Sequence, residues 1–140
     1  MRGGEIEGRD NIIRGTWAWG DSSKVNFISS FKSLKNGIFN DKFHLFSIIW
    51  EPTKIQWLLN NEIYFEQKID SLMNQTFSKP FHLILNIAVG GAFPGNPSSE
   101  TIFPQEMVVD YVRVFKKNNC QSGYIFLFIL SNEYYELLSS

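Results

Sequence analysis

Three carboxylates crowd the start of the chain, in Glu5-Ile6-Glu7-Gly8-Arg9-Asp10. Carboxylates held around a reacting bond can act as nucleophile and as general acid or base. On an extended strand Glu5 and Glu7 share a face, whereas Asp10 falls on the other. A β-bulge would be needed to bring all three to one side, and Gly8 would accommodate it. From the residues alone, the plainer reading is an acidic N-terminus in water. Two more polar residues stand out by their surroundings. Asn86 lies within apolar Phe81–Val89, where it is either a hydrogen-bonded structural residue or one that faces a ligand. Asp110 lies within apolar Met107–Lys117, where a carboxylate needs a partner or an ion.

The elements that would carry these residues show period-2 patterning, with no convincing helical period. Strands are expected over Asn11–Trp19, Phe43–Trp50, Lys54–Leu59, Glu62–Gln67, Phe81–Val89 and Met107–Lys117. Pro52 suits a tight turn, and Asn60-Asn61 suits a two-residue hairpin because Asn tolerates positive φ. A helical turn is expected at Asp70–Gln75. Alternation puts Leu83, Leu85, Ile87 and Val89 on a core face, with His82, Ile84, Asn86 and Ala88 opposite. It groups Val108, Val112 and Val114 with Asp110, against Val109, Tyr111, Arg113 and Phe115. Trp17 and Trp19 alternate with Thr16 and Ala18, and core packing of their rings is favoured over an open, ligand-facing role. Strands joined by turns without intervening helices indicate an antiparallel sandwich or barrel.

Composition narrows the classes. With 140 residues the chain is one domain at most, and 44% hydrophobic with 16% aromatic residues indicates a globular β protein. Net charge is −1 with no basic block, which argues against a nucleic-acid partner. Cys120 is the single cysteine, so no intrachain disulfide or Cys/His zinc site is expected. No signal-peptide pattern is visible at the N-terminus. The apolar run Tyr124–Leu130 is far shorter than the roughly 20 residues of a membrane span, so no membrane partner is expected. That run is read as part of an appended tail, 118–140, with an extra strand or short helix over an open edge as the alternative. Residues 1–117 form the domain.

Several ordered motifs resemble glycoside hydrolase family 16, the laminarinase-like β-glucanases. They are the aromatic-aliphatic strand Phe43–Trp50 with Pro52, the hairpin Lys54–Gln67, and Pro80-Phe81 with Asn86-Ile87-Ala88-Val89-Gly90-Gly91. Phe103-Pro104-Gln105 and Val109-Asp110-Tyr111-Val112-Arg113-Val114 complete them. The resemblance is good over Phe43–Lys117 and weak over Gly4–Gly20. It implies an all-β, concanavalin A-like jelly-roll β-sandwich, incomplete here because the N-terminal half is missing. It also implies retaining endo-hydrolysis of β-1,3- or mixed-linkage glucan by a monomer, in an extracellular setting that this chain leaves unmarked.

The resemblance assigns roles to the acidic cluster in one of two registers. In the first, Glu5 is nucleophile, Glu7 assists it and Asp10 is acid/base; retaining chemistry sets two carboxyls about 5–5.5 Å apart. Asp10 is one methylene shorter than the family's Glu, and Arg9 beside it would favour its ionised form. In the second, Gly8 and Gly15-Thr16-Trp17-Ala18 fit the family's downstream pattern if Glu5 is acid/base, and the nucleophile is then missing. In either register Ala18 stands where the family has a cleft histidine. Asn86, Phe93 and Trp17 are the candidate sugar contacts. No cofactor is required; a structural calcium at Asp110 is the one ion the resemblance brings. The alternative to hydrolysis is a non-catalytic glucan-binding remnant or an inactive fragment.

Overall fold

The computed structural model describes residues 2–3, 11–20, 23–70, 77, 79–91, 96–97, 99, 101, 103–104, 107–116 and 124–132. The elements are strands β1 (Arg2–Gly3), β2 (Ile12–Gly20) and β3 (Val25–Ser33), a 3-10 turn at Phe39–Asp41, then β4 (His44–Glu51). Next come β5 (Lys54–Leu59), β6 (Glu62–Lys68), β7 (Met107–Lys116) and β8 (Tyr124–Asn132). Two antiparallel sheets result, ordered β1-β2-β3 and β6-β5-β4-β8-β7. This is the all-β, antiparallel architecture expected of a jelly-roll sandwich. Among the described residues no helix is long and apolar enough to cross a membrane.

The core lies between the sheets because alternate residues of β2, β4 and β5 are apolar on one side. Ile13, Phe39, Phe46 and Leu59 form one buried cluster; Trp17, Ile55 and Trp57 form the other. Trp17 meets Trp57 edge-on at 6.0 Å and Phe77 at 4.1 Å, while Phe65 stacks on Trp57 at 4.5 Å. Gly15 marks the closest approach. A Cβ there would lie 2.8 Å from the Tyr64 hydroxyl and 3.2 Å from Trp57 Cδ1. Tyr64 reaches that point because the β5–β6 register shifts beside it, and a bulge re-aims a side chain.

The β5–β6 turn is pinned to β4. Asn60 and Asn61 both have positive φ, 50° and 68°, as a type I′ hairpin requires. The Asn60 side-chain oxygen accepts from Leu45 N–H at 3.0 Å, leaving its amide nitrogen to donate to His44 Nδ1 at 3.1 Å. His44 is therefore neutral with its proton on Nε2, which finds no partner among the described residues. Burial first, then the Lys42 charge, holds the imidazole below its ordinary value.

Three expectations need correcting. Phe81–Val89 is not a strand: it lacks regular structure and every residue in it is exposed, including the intended core face. Between β4 and β7 lies β8, which pairs with both. Tyr124–Asn132 thus lies inside the sheet rather than appended to it. Third, Val108 does not share a face with Val112 and Val114. The β7–β8 register shifts between Val109 and Tyr111, and that one-residue bulge moves Val108 to the side of Tyr111 and Arg113. The turn expected at Asp70–Gln75 lies largely outside the described residues, and β3 went unpredicted.

Candidate functional site: the open face of β2 and β3

With Ile13, Gly15 and Trp17 turned to the core, Arg14, Thr16 and Ala18 occupy the outer face of β2. Antiparallel pairing sets Phe31, Ser29 and Phe27 of β3 directly opposite them. Arg14 lies 5.5 Å over the Phe31 ring, a cation–π arrangement. The Thr16 and Ser29 hydroxyls are hydrogen-bonded at 3.1 Å. Phe27 is 64% exposed and Phe31 51%. The face therefore offers two solvent-facing rings four residues apart, with a hydroxyl pair and a guanidinium between and beside them. Aromatic faces with hydroxyls are chemically suited to pyranose rings, whose C–H groups pack on π-faces while their hydroxyls hydrogen-bond. Phe27 and Phe31 were missed because β3 puts its aromatics outward and Asn26, Ser30 and Lys32 inward. The alternation Val25-x-Phe27-x-Ser29-x-Phe31 was the available signal.

β1 flanks β2 on the other edge, Arg2 opposite Arg14 and Gly3 opposite Ile13. In sequence Glu5, Glu7 and Asp10 fall between β1 and β2; all three lie outside the described residues, as does Phe93. Asn86 is exposed within 81–89 and belongs to no strand. Trp17 is 2% exposed, so neither ring face is open to a sugar; of its two readings it takes the packing one. Trp19 packs against the same cluster.

Asp110 sits exposed at the β7 bulge. Among the described residues no group of three or more His, Cys, Asp and Glu could hold a metal ion. Calcium takes about six to eight oxygens, so the described donors do not fit it. Two other carboxylates are structural. Glu62 is paired with Lys32 at 2.8 Å, and Glu66 accepts from Lys54 at 3.1 Å and from Gln56. Their hydrogen bonds, chiefly those from Lys32 and Lys54, hold both below the usual carboxylate range, so neither is suited to donate a proton near neutrality.

The fold and face define an antiparallel β-sandwich with an open aromatic surface, and comparison supplies the family. Residues 10–113 match Glycosyl hydrolases family 16, and the chain belongs to that family. It is 39% identical over 82 residues to a Beta-glucanase of Rhodothermus marinus, covering 53% of this chain and 29% of that protein. It is 32% identical over 126 residues to Glucan endo-1,3-beta-glucosidase A1 of Niallia circulans, covering 81% and 18%. It is 33% identical over 112 residues to the Clotting factor G alpha subunit of Tachypleus tridentatus, covering 79% and 16%. The chain thus spans less than a third of the length of each of these relatives. No solved structure matches it significantly.

Proposed function

We propose that this chain is part of a glycoside hydrolase that cleaves internal bonds of β-1,3- or mixed-linkage glucan with retention. The observation that carries the reading is the open face of β2 and β3, whose exposed Phe27 and Phe31 rings and Thr16–Ser29 hydroxyl pair suit a polysaccharide. Glu5 is the proposed nucleophile, Glu7 the carboxylate that assists it, and Asp10 the acid/base. The glucan would lie across Thr16, Ser29, Phe27 and Phe31. In the first step Glu5 attacks the anomeric carbon while Asp10 protonates the departing glycosidic oxygen; in the second Asp10 takes a proton from the water that releases the sugar.

One observation favours a second reading, glucan binding without cleavage. Ala18 stands on this face with only a methyl group, where a family resemblance calls for a histidine. The two readings separate by incubating the protein with laminarin and with mixed-linkage β-glucan and following reducing ends. Hydrolysis predicts release that vanishes in Glu5→Gln with binding retained, and that rises in Asp10→Glu as the proton donor gains its missing methylene. Absence of release, with binding that weakens in Phe27→Ala, would establish the second reading. A chain that neither cleaves nor binds either glucan would refute both.

A further inference from the structure

Residues 81–89 are an apolar segment without a place, next to a place filled by another apolar segment. Every residue from Phe81 to Val89 is exposed, Ile84 by 78%. Yet the segment begins at the mouth of the position that β8 fills. The Phe81 ring meets Trp50 edge-on at 5.1 Å, and Trp50 is the β4 residue opposite Tyr124, where β8 begins. Phe77 stacks on Phe81 at 5.7 Å and holds it there.

The match extends along the whole strand. β8 sets Tyr124, Phe126, Phe128 and Leu130 in register with Trp50, Ile48, Phe46 and His44, the β4 residues that pack into the core. With Phe81 opposite Trp50, the same register places Leu83 opposite Ile48, Leu85 opposite Phe46 and Ile87 opposite His44. Every core-facing position is then apolar, and His82 and Asn86 fall on the other face. A slip of one residue would turn both polar side chains into the core, so the register is specified. Direction also agrees. Segment 81–89 would end at the His44 end of β4, where β7 starts with Met107 opposite Asn132, so 90–106 need only join neighbouring antiparallel strands. β8 enters from the opposite end of β7, through 117–123.

We propose that residues 81–89 and Tyr124–Asn132 are alternative occupants of the single strand position between β4 and β7. The chain exchanges one for the other, and the exchanged form carries Asn86 and His82 on the outer face of the five-stranded sheet. Sheet hydrogen bonding is conserved in the exchange because each occupant supplies one strand's backbone to both neighbours. What changes is which apolar run is left in water, and that difference sets the balance.

Cross-linking in the full-length chain tests this. In a Cys120→Ser background, Ile48→Cys is combined with Phe126→Cys, with Leu83→Cys or with Ile84→Cys, and each protein is oxidised under mild conditions. The first pair reports β8 in place and should close rapidly. The second should close several-fold faster than the third, because Ile84 would point away from Ile48. A minor state populated to about 0.1–10% is enough, since each closure traps it. Adding Leu127→Pro, which removes an N–H and disfavours a central strand, should speed the 48–83 closure and give amides 82–88 new protection from hydrogen exchange. Closure of 48–83 no faster than 48–84 would overturn the proposal, as would 82–88 remaining unprotected when β8 is weakened in a protein that keeps its folded Trp17–Trp57 fluorescence.

Discussion

Asn60 carries three separable duties, and replacing it with Ala and with Gly takes them apart. Its backbone sits at φ 50°, its side-chain oxygen accepts from Leu45 N–H, and its amide donates to His44 Nδ1. The backbone bond from Asn60 N–H to Leu45 O at 2.8 Å survives either change. Losing two neutral hydrogen bonds costs about 0.5–1.5 kcal/mol each, more where a buried partner is left unsatisfied, as His44 would be. Ala adds the steric cost of a left-handed conformation, about 1–2 kcal/mol, which Gly avoids. Asn60→Ala should therefore destabilise by about 2–5 kcal/mol and Asn60→Gly by about 1–2 kcal/mol less than that. For a domain of this size, each kcal/mol lowers the Tm by about 3–4 °C. Urea and thermal unfolding followed by tryptophan fluorescence read both, because Trp17 and Trp57 are buried reporters. If Asn60→Ala stays within about 0.5 kcal/mol of the parent, the size of a neutral surface change, the assigned duties are wrong. If Gly and Ala cost the same, the positive-φ argument is wrong.

The remaining two concern His44 and Gly15. His44 is held below its ordinary value of 6.5, so the unfolded chain binds a proton near that pH that the folded chain does not. Its contribution to stability is complete above pH 6.5 and should fall as pH drops from there toward the depressed folded value. That slope should disappear in His44→Gln in pH-dependent urea denaturation, and an unchanged slope would exclude His44 as its source. Gly15→Ala should destabilise by about 1–3 kcal/mol through overpacking against Tyr64. Tyr64→Phe removes the hydroxyl that lies 2.8 Å from the new Cβ, so the double variant should recover part of the loss. Strict additivity in that double-mutant cycle would show that the two positions do not meet.

Period-2 patterning made β2, β4, β5, β6 and β7 legible to within a residue or so, because apolar side chains recur at alternate positions along them. The Asn60-Asn61 turn was equally plain, since few residues other than Gly accept its geometry. β3 was not, because its exposed face holds the aromatics and its covered face, Ile28 apart, is polar, the reverse of the usual signal. The two bulges, at Tyr64 and Asp110, were invisible for a different reason. A single inserted residue changes which side chains share a face without changing composition, so Val108 was assigned to the wrong side. Residues 81–89 and 124–132 exceed what local pattern can decide: both read as apolar runs, yet 124–132 is a central strand whereas 81–89 is irregular and exposed. In the candidate site, Thr16 and Ala18 followed from alternation once Trp17 and Trp19 were read as core, whereas Phe27 and Phe31 required β3.

The back of the candidate site explains why its front can be so open. A two-layer sandwich normally gains rigidity by burying both faces of few strands and one face of most. Here the outer face of β2 contributes little burial, since Thr16, Ala18, Phe27 and Phe31 are exposed, so the strand must be fixed from behind. Gly15 allows the two sheets to approach until Tyr64 and Trp57 touch β2 itself, and Trp17 fills the adjoining space against Phe77. Burying a large aromatic side chain contributes about 1.5–3 kcal/mol, and Trp17 and Ile13 anchor β2 at alternate positions two residues on either side of Gly15. The hydroxyls and rings of the outer face are thus carried on a backbone whose position is set by the core. A bound chain would not have to pay much ordering entropy to use them. That is the physical case for reading the open face as a binding surface: it is exposed, chemically mixed and held rigid by residues that take no part in contact.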